Sequence, residues 1–234
     1  MISEAFVRAL ARYTRLRLRL IDASAEDVGY AVLFYPLVGL LLGGCLVLLM
    51  VVAPSGGAVA AGLLLAARVL LGASGVYIGA GRCLGAWLTP VEERAAGNGA
   101  VAPAGGLVLV TVLLVQLSAY IDLLASGAMS SVLVAPVLAL TAASALFYTT
   151  PCIDGDGPAA AMARQLPRRD LGRLLLMVGV LAGLIGPLRL LLVAVAALFL
   201  ARWYLRRRDG GFTEDAESAV VILVETAVLA AAAF

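Results

Sequence analysis

The residues best suited to chemistry are acidic and fall in two stretches: Asp154 and Asp156 in one, then Asp209, Glu214, Asp215 and Glu217 in the other. The second stretch follows directly on Arg206, Arg207 and Arg208, so carboxylates and guanidiniums lie side by side. Mg²⁺ held by one or two carboxylates, with arginine gripping phosphate, is the usual arrangement for phosphoryl or nucleotidyl transfer. The chain has no His, so a metal site must use carboxylates and carbonyls, which favours hard ions, and no Ser-His-Asp triad can form. No G-x-x-x-x-G-K-[ST], H-E-x-x-H or C-x-x-C occurs. On this reading Asp154, Asp156, Asp215 and Glu217 are candidate Mg²⁺ ligands. Arg15, Arg206, Arg207, Arg208 and Thr213 are candidate substrate-binding residues. The plainer alternative is a set of solvated loop charges with an arginine run that only anchors topology, and composition does not separate the two.

The elements that position these residues are apolar. The chain is 63% hydrophobic with a mean hydropathy of +1.04, where a soluble domain is usually ~45–50% apolar. It therefore reads as one all-α membrane domain over 1–234 solvated by lipid, a polytopic transmembrane helical bundle (31–234) behind a basic interfacial segment (1–30). That first segment spreads Arg8, Arg12, Arg15, Arg17 and Arg19 among Phe6, Leu10, Leu16, Leu18 and Leu20, as an amphipathic surface helix would. Apolar runs near ~20 residues mark spans. They fall at about 31–53, 58–78, 105–125, 130–148, 171–186, 187–204 and 218–234, giving about seven. The fifth and sixth meet at Gly186-Pro187, a turn signal; without that turn the count drops to six.

Charge sets the orientation. With the N-terminus cytoplasmic, the inner segments carry the N-terminal arginines, then Arg82 and Arg94, then Arg164, Arg168 and Arg169, then Arg206 to Arg208. The opposite short loops near 54–57, 126–129 and 186–187 contain no Arg. That asymmetry predicts an inner-membrane protein with its basic loops in the cytoplasm. Arg68, Asp122, Arg189 and Glu225 fall deeper or near the far face. A charge in mid-membrane costs at least ~2.5–3.5 kcal/mol. Arg68 and Glu225 therefore belong either to a polar cavity or to an interhelical ion pair, with snorkelling to the headgroups a third option. The cysteines Cys45, Cys83 and Cys152 have no paired spacing and predict free thiols.

Longer motifs add a resemblance. Residues 13–19 read Tyr-Thr-Arg-Leu-Arg-Leu-Arg, 34–43 read Phe-Tyr-Pro-Leu-Val-Gly-Leu-Leu-Leu-Gly, and 210–225 read Gly-Gly-Phe-Thr-Glu-Asp-Ala-Glu-Ser-Ala-Val-Val-Ile-Leu-Val-Glu. These resemble the cobalamin synthase family, whose members open with Thr-Arg-Leu-Pro and a Phe-Pro-Leu-x-Gly-Leu-Leu-Leu-Gly span. They close on Arg-x-x-Gly-Gly-x-Thr-Gly-Asp and a Glu-bearing last span. Gly105-Gly106 and the 151–161 stretch run in parallel, with Asp156-Gly157 in place of a Glu-Gly. The resemblance implies a Mg²⁺-dependent membrane enzyme that joins α-ribazole or its phosphate to adenosylcobinamide-GDP and releases GMP.

The chain departs from the family pattern at its aspartates. The family's His-Leu-Asp-Gly-Leu-Ala-Asp-Thr-x-Asp-Gly corresponds here to 75–85, which has no carboxylate and contains Arg82. Its Met-Arg-Asp-Ser-Arg-x-Gly block is replaced by the uncharged 95–101. The resemblance then implies a degenerate or partner-dependent member, with an intact paralogue, a second copy or a corrinoid ligand as partner and no nucleic acid. The alternative is an enzyme with a metal site rebuilt from the acidic loops. Arg68 and Glu225 also motivate a small transporter subunit, and the abundant Gly and Ala a structural subunit.

Overall fold

The computed structural model describes residues 2–16, 25–52, 57–90 and 101–234. The elements are helices: α1 (Ile2–Tyr13), α2 (Ala25–Tyr30), a 3₁₀ turn (Ala31–Phe34), α3 (Tyr35–Val52), α4 (Ala58–Leu71), α5 (Ser74–Leu88) and α6 (Val101–Ser126). They continue with α7 (Met129–Thr149), α8 (Pro158–Arg164), α9 (Arg168–Ile185), α10 (Leu188–Arg208) and α11 (Glu214–Ala233). Among the described residues there is no strand, only isolated bridges at Thr14–Gly72 and Cys152–Phe212. All-α membrane architecture is what the apolar runs predict.

Five helices are long and apolar enough to cross a bilayer: Asp27–Val52, Ala102–Ser126, Met129–Thr149, Leu188–Arg208 and Glu214–Ala233. They correspond to the first, third, fourth, sixth and seventh expected spans. Of the other two, the second span differs from expectation. The run at 58–78 is not one helix but breaks at Gly72–Ala73, and α4 alone has 14 residues, ~21 Å against a hydrocarbon core of ~30 Å. The break is filled by the strand-like segment after α1: Arg15 N–H donates to Leu71 O (3.1 Å) and Ala73 N–H to Tyr13 O (3.0 Å). Those bonds pair backbone groups that the interrupted helix leaves open. Hydropathy cannot detect this, because Gly72 and Ala73 are themselves compatible with an apolar span. In the fifth run, α9 is a separate helix of 18 residues with Arg168, Arg169, Asp170 and Arg173 in its first turns. It ends where Gly186-Pro187 predicts a turn.

Among the described residues, the N-terminal segment opens on an amphipathic helix. Its helix stops at Tyr13 and buries Ala5, Ala9 and Tyr13, while Phe6 and Leu10 pack partly buried beside them. Small residues let α1 lie close to the bundle, with Phe6 and Leu10 of the expected apolar set packed beside them. Leu16 is exposed, and Arg17, Leu18, Arg19 and Leu20 lie outside the described residues.

The centre of the bundle is α11, packed against α5, α6, α7 and α10. Close packing of α3 on α7 uses Gly39 and Gly43, where a Cβ would collide with the backbone at Pro136 and Leu133. Those glycines serve packing within the chain.

Two deep charges settle each other. Arg68 of α4 donates Nε–H to Glu225 Oε1 and Nη2–H to Oε2, both at 2.6 Å, with both side chains almost wholly buried. This bidentate geometry is the strong form of the pair. Of the alternatives open from sequence, the interhelical ion pair is the one formed, which removes the feature that suggested a transport path. Arg189 instead donates to Ala232 O at the far end (3.3 Å), and Asp122 is exposed. The three cysteines are free.

Removing one partner strands the other charge in the bundle, at a cost of roughly 3–5 kcal/mol. Arg68→Ala and Glu225→Ala are therefore each expected to destabilise the protein strongly in detergent unfolding titrations. The double variant Arg68→Met/Glu225→Leu is expected to recover most of the loss.

Candidate functional site

The acidic loops converge because their backbones pair. Phe212 N–H donates to Pro151 O (2.9 Å) and Ile153 N–H to Phe212 O (3.0 Å). Phe212 is fully buried, edge-on to Phe147 with centroids 4.9 Å apart. That anchor sets Asp154 at the start of α11, where its Oδ2 accepts the Glu214 N–H at 2.7 Å. Thr213 is the N-cap, its hydroxyl accepting from Ala216 N–H at 3.2 Å. Acidic residues suit this first turn because the open N–H groups of a helix start carry partial positive charge.

The result is a cavity of about 690 Å³ at the start of α11, with Asp154, Thr213, Glu214, Asp215 and Ser218 on one side. Arg12 and Tyr13 line it from α1, and Arg82 from α5. Helix α5 comes close enough because position 79 is glycine: a Cβ there would press on the Asp215 carboxylate and the Ser218 hydroxyl. One turn further on, Arg82 lines the same cavity as Asp215. A smaller adjoining cavity of about 250 Å³ shares Arg82, Thr213 and Asp215 and adds Arg208 and Asp209.

Arg12 forms the strongest contact of the site. Its Nη2–H donates to Glu217 Oε2, and its Nη1–H to Glu214 Oε1 at 3.2 Å. Tyr13 donates its hydroxyl to Glu217 Oε1. Burial opposes the charge on Arg12, but the Glu217 carboxylate together with Tyr35 and Tyr13 outweighs it and holds the guanidinium protonated. Burial, reinforced by the same carboxylate, pushes the Tyr13 phenol well above its ordinary range.

The expected site residues therefore divide. Asp154, Asp215 and Thr213 share the main cavity. Glu217 does not face it as a metal ligand, because it is buried behind the wall and saturated by Arg12 and Tyr13. Asp156 points to solvent, 3.8 Å from Arg164. Arg15 is exposed and is not among the residues lining this cavity. Arg206 and Arg207 are exposed, with Arg207 stacked over the Trp203 ring at 4.9 Å. Arg208 is occupied by Ala86 O (2.7 Å) and the Tyr204 hydroxyl (2.9 Å), tying α10 to α5.

Arg12, Tyr13 and Arg82 are the lining residues that the acidic loops alone do not reveal. Glu217 held the available signal: a carboxylate one turn inside an apolar helix needs a cation, and the N-terminal arginines were unassigned.

A resident divalent ion has to be judged on these donors. Glu214 is engaged by Arg12, one Asp154 oxygen by a backbone N–H, and Asp215 has Arg82 beside it. Among the described residues no three His, Cys, Asp or Glu side chains converge on a point that could hold a metal. The described residues do not make a preformed carboxylate cage for a resident Mg²⁺.

Truncating Arg12 leaves Glu217 buried without its counter-charge. Arg12→Ala is expected to cost roughly 3–5 kcal/mol and to free α1 for proteolysis. Tyr13→Phe, losing one hydrogen bond to a charged group, is expected to cost roughly 1.5–3 kcal/mol. Thermal unfolding and the cleavage rate near the N-terminus in detergent measure both.

Known proteins resemble the chain along most of its length. A model of the family described as cobalamin-5-phosphate synthase matches residues 5–75 and 98–233. The interval between, 76–97, contains most of α5, Arg82 included. An adenosylcobinamide-GDP ribazoletransferase of Pseudomonas fluorescens is 37% identical over 87% of this chain and 88% of its own length. That of Pseudomonas putida strain GB-1 is 35% identical over 88% of each. That of Pseudomonas paraeruginosa is 35% identical over 98% of each. No solved structure matches the chain. The helical membrane bundle, the acidic turn opening its last helix and this similarity together identify the chain as a member of the cobalamin-5-phosphate synthase family, an integral membrane protein of cobalamin biosynthesis.

Proposed function

We propose that the chain is a partner-dependent member of its family, acting in the cytoplasmic membrane with its basic end inward and not completing the transfer alone. The observation that carries this is Arg82. The relatives' name describes a ribazole transfer to adenosylcobinamide-GDP, and cleaving a diphosphate requires positive charge where its oxygens gain negative charge. In this cavity Arg12 is spent on Glu217 and Glu214. What remains is Arg82 against Asp154 and Asp215. A diphosphate placed there meets more negative than positive charge. The guanidinium beside Asp215 also competes with a divalent ion for that carboxylate. The missing cation has to come from elsewhere, most simply from an intact family member holding the same corrinoid or nucleotide ligand.

A second reading rests on Asp154, Asp215 and Thr213 sharing one cavity. Mg²⁺ is often held by only one or two carboxylates together with the substrate's own phosphates, so an active transferase could recruit its ion with the substrate. One experiment separates the two. Purified protein is incubated with Mg²⁺, α-ribazole and adenosylcobinamide-GDP beside a catalytically competent relative, and GMP is measured. The first reading expects no GMP from this chain alone, and co-purification with an intact family member when the two are co-expressed. GMP release that Asp215→Asn abolishes establishes the second reading instead.

Sidedness supports the membrane placement. The contacts of Arg12 with Glu214, Arg208 with Ala86 O and Ile153 with Phe212 gather the arginine-bearing segments at one end of the bundle. Segments of this kind face the cytoplasm. Asp156 is fully exposed, so an Asp156→Cys variant is expected to react with a membrane-impermeant maleimide in inverted inner-membrane vesicles. It is expected to stay unlabelled in spheroplasts, where the wild type sets the background. Labelling in spheroplasts alone reverses the orientation.

A further inference from the structure

Helices α9 and α10 form a hairpin against α7 that does not close along its length. Between the three helices runs an apolar groove of about 620 Å³, on the opposite side of α7 from the α3 packing. Its lining on α9 extends from Leu175 to Leu184. That is ~14 Å of helix, within the reach of one acyl chain, and the lining ends at Leu184 and Leu188 beside the Gly186-Pro187 turn. Gly179 of α9 opens into the groove with nothing within 4 Å of a built Cβ, and Gly183 meets only leucine side chains at 3.8 Å or more. At Gly39 and Gly43 another backbone fills the space that glycine leaves; here none does.

The mouth of the groove is cationic. Arg173 lies three residues before Leu176 on α9, and Arg202 four residues after Leu198 on α10, so each continues a lining face by one turn. Arg202 donates to Thr149 O (3.3 Å), the last residue of α7, which fixes it above the groove. Arg173 is 83% exposed and 3.6 Å from Asp170, itself half exposed, with Arg168 and Arg169 on the same turn. Four guanidiniums thus face one carboxylate at the arginine-rich end of the bundle. Tyr148, part exposed at the end of α7, adds a ring of the kind that sits at headgroup level.

We infer that this groove is a site for an anionic phospholipid of the arginine-side leaflet, one acyl chain lying between α7, α9 and α10 and the phosphate held at Arg173 and Arg202. Charge complementarity selects the occupant. A zwitterionic lipid offers the apolar chain but no net charge, and a helix of a second copy would bring no anion to the mouth. The site is separate from the cavity at the start of α11 and does not depend on how that cavity works.

The test uses the full chain purified in mild detergent and offered phosphatidylglycerol or phosphatidylcholine at equal concentration, with retained lipid counted by native mass spectrometry. Preferential retention of phosphatidylglycerol is expected. Each guanidinium near an anionic headgroup contributes about a five-fold effect on binding. Arg173→Gln/Arg202→Gln is therefore expected to weaken retention about 25-fold. Gly179→Leu/Gly183→Leu fills the groove, leaves every charge in place and is expected to abolish retention. Leucine is a better helix former than glycine, so this variant is expected to unfold no earlier than the wild type. Should it fail to fold, the arginine variant, altered only at the surface, decides the matter. Equal retention of both lipids, or retention unchanged by these substitutions, marks ordinary annular lipid and overturns the inference. So does a wild-type dimer that the groove-filling variant converts to monomer.

Discussion

Two carboxylates on the last helix, Glu217 and Glu225, cannot be left bare inside the bundle, and the rest of the structure is arranged to answer them. A buried anion is tolerated only when paired and hydrogen-bonded. Both counter-charges come from the first third of the chain: Arg12 from α1 and Arg68 from α4. These two pairs tie the N-terminal elements to the C-terminal helix, which itself packs on α5, α6, α7 and α10. The upper pair also forms a wall of the cavity. The same contact that holds α1 in place therefore fixes the shape of the site.

That arrangement has a consequence for chemistry. A cavity for phosphoryl transfer needs spare positive charge, yet the best-placed guanidinium, Arg12, is consumed by structure. The two cavity carboxylates, Asp154 and Asp215, are delivered by the Cys152–Phe212 backbone pairing and the cap at Thr213. The other wall is α5, which lies in the interval left unmatched by the family model and presents Arg82 there. The departure covers α5 and the 95–101 stretch that follows it, while the family model matches the chain on either side of 76–97. Helix α5 tolerates such substitutions without loss of fold, because it packs on α6 and α11 largely through small residues such as Gly79, Ala80, Gly81 and Gly85, and Arg82 is exposed.

The outside of the bundle follows different rules. Leu176, Leu184, Phe199 and Leu200 are largely exposed, which only a hydrocarbon solvent permits over so wide a surface. Along α9 and α10 that surface is grooved rather than smooth. A cleft among apolar helices is filled by lipid tails, and arginines at its mouth give the filling a preferred headgroup.

The sequence by itself determined the environment, the helical class, the turn at Gly186-Pro187 and the family. These follow from local quantities: apolar runs as long as a bilayer is thick, a proline that ends a helix, and motifs read in order. It also located the acidic stretch of Asp209, Glu214, Asp215 and Glu217, since carboxylates clustered after an arginine run are a local signal. Tertiary structure alone decided the pairings. Nothing along the chain says that Arg12, rather than Arg15 or Arg208, meets Glu217, or that Asp154 and not Asp156 joins Asp215. Nor does hydropathy show that the run through Gly72 breaks to admit the segment after α1. Each of these depends on which groups a fold brings within a few ångströms across large separations in sequence, and electrostatic and hydrogen-bond energies act only at that range.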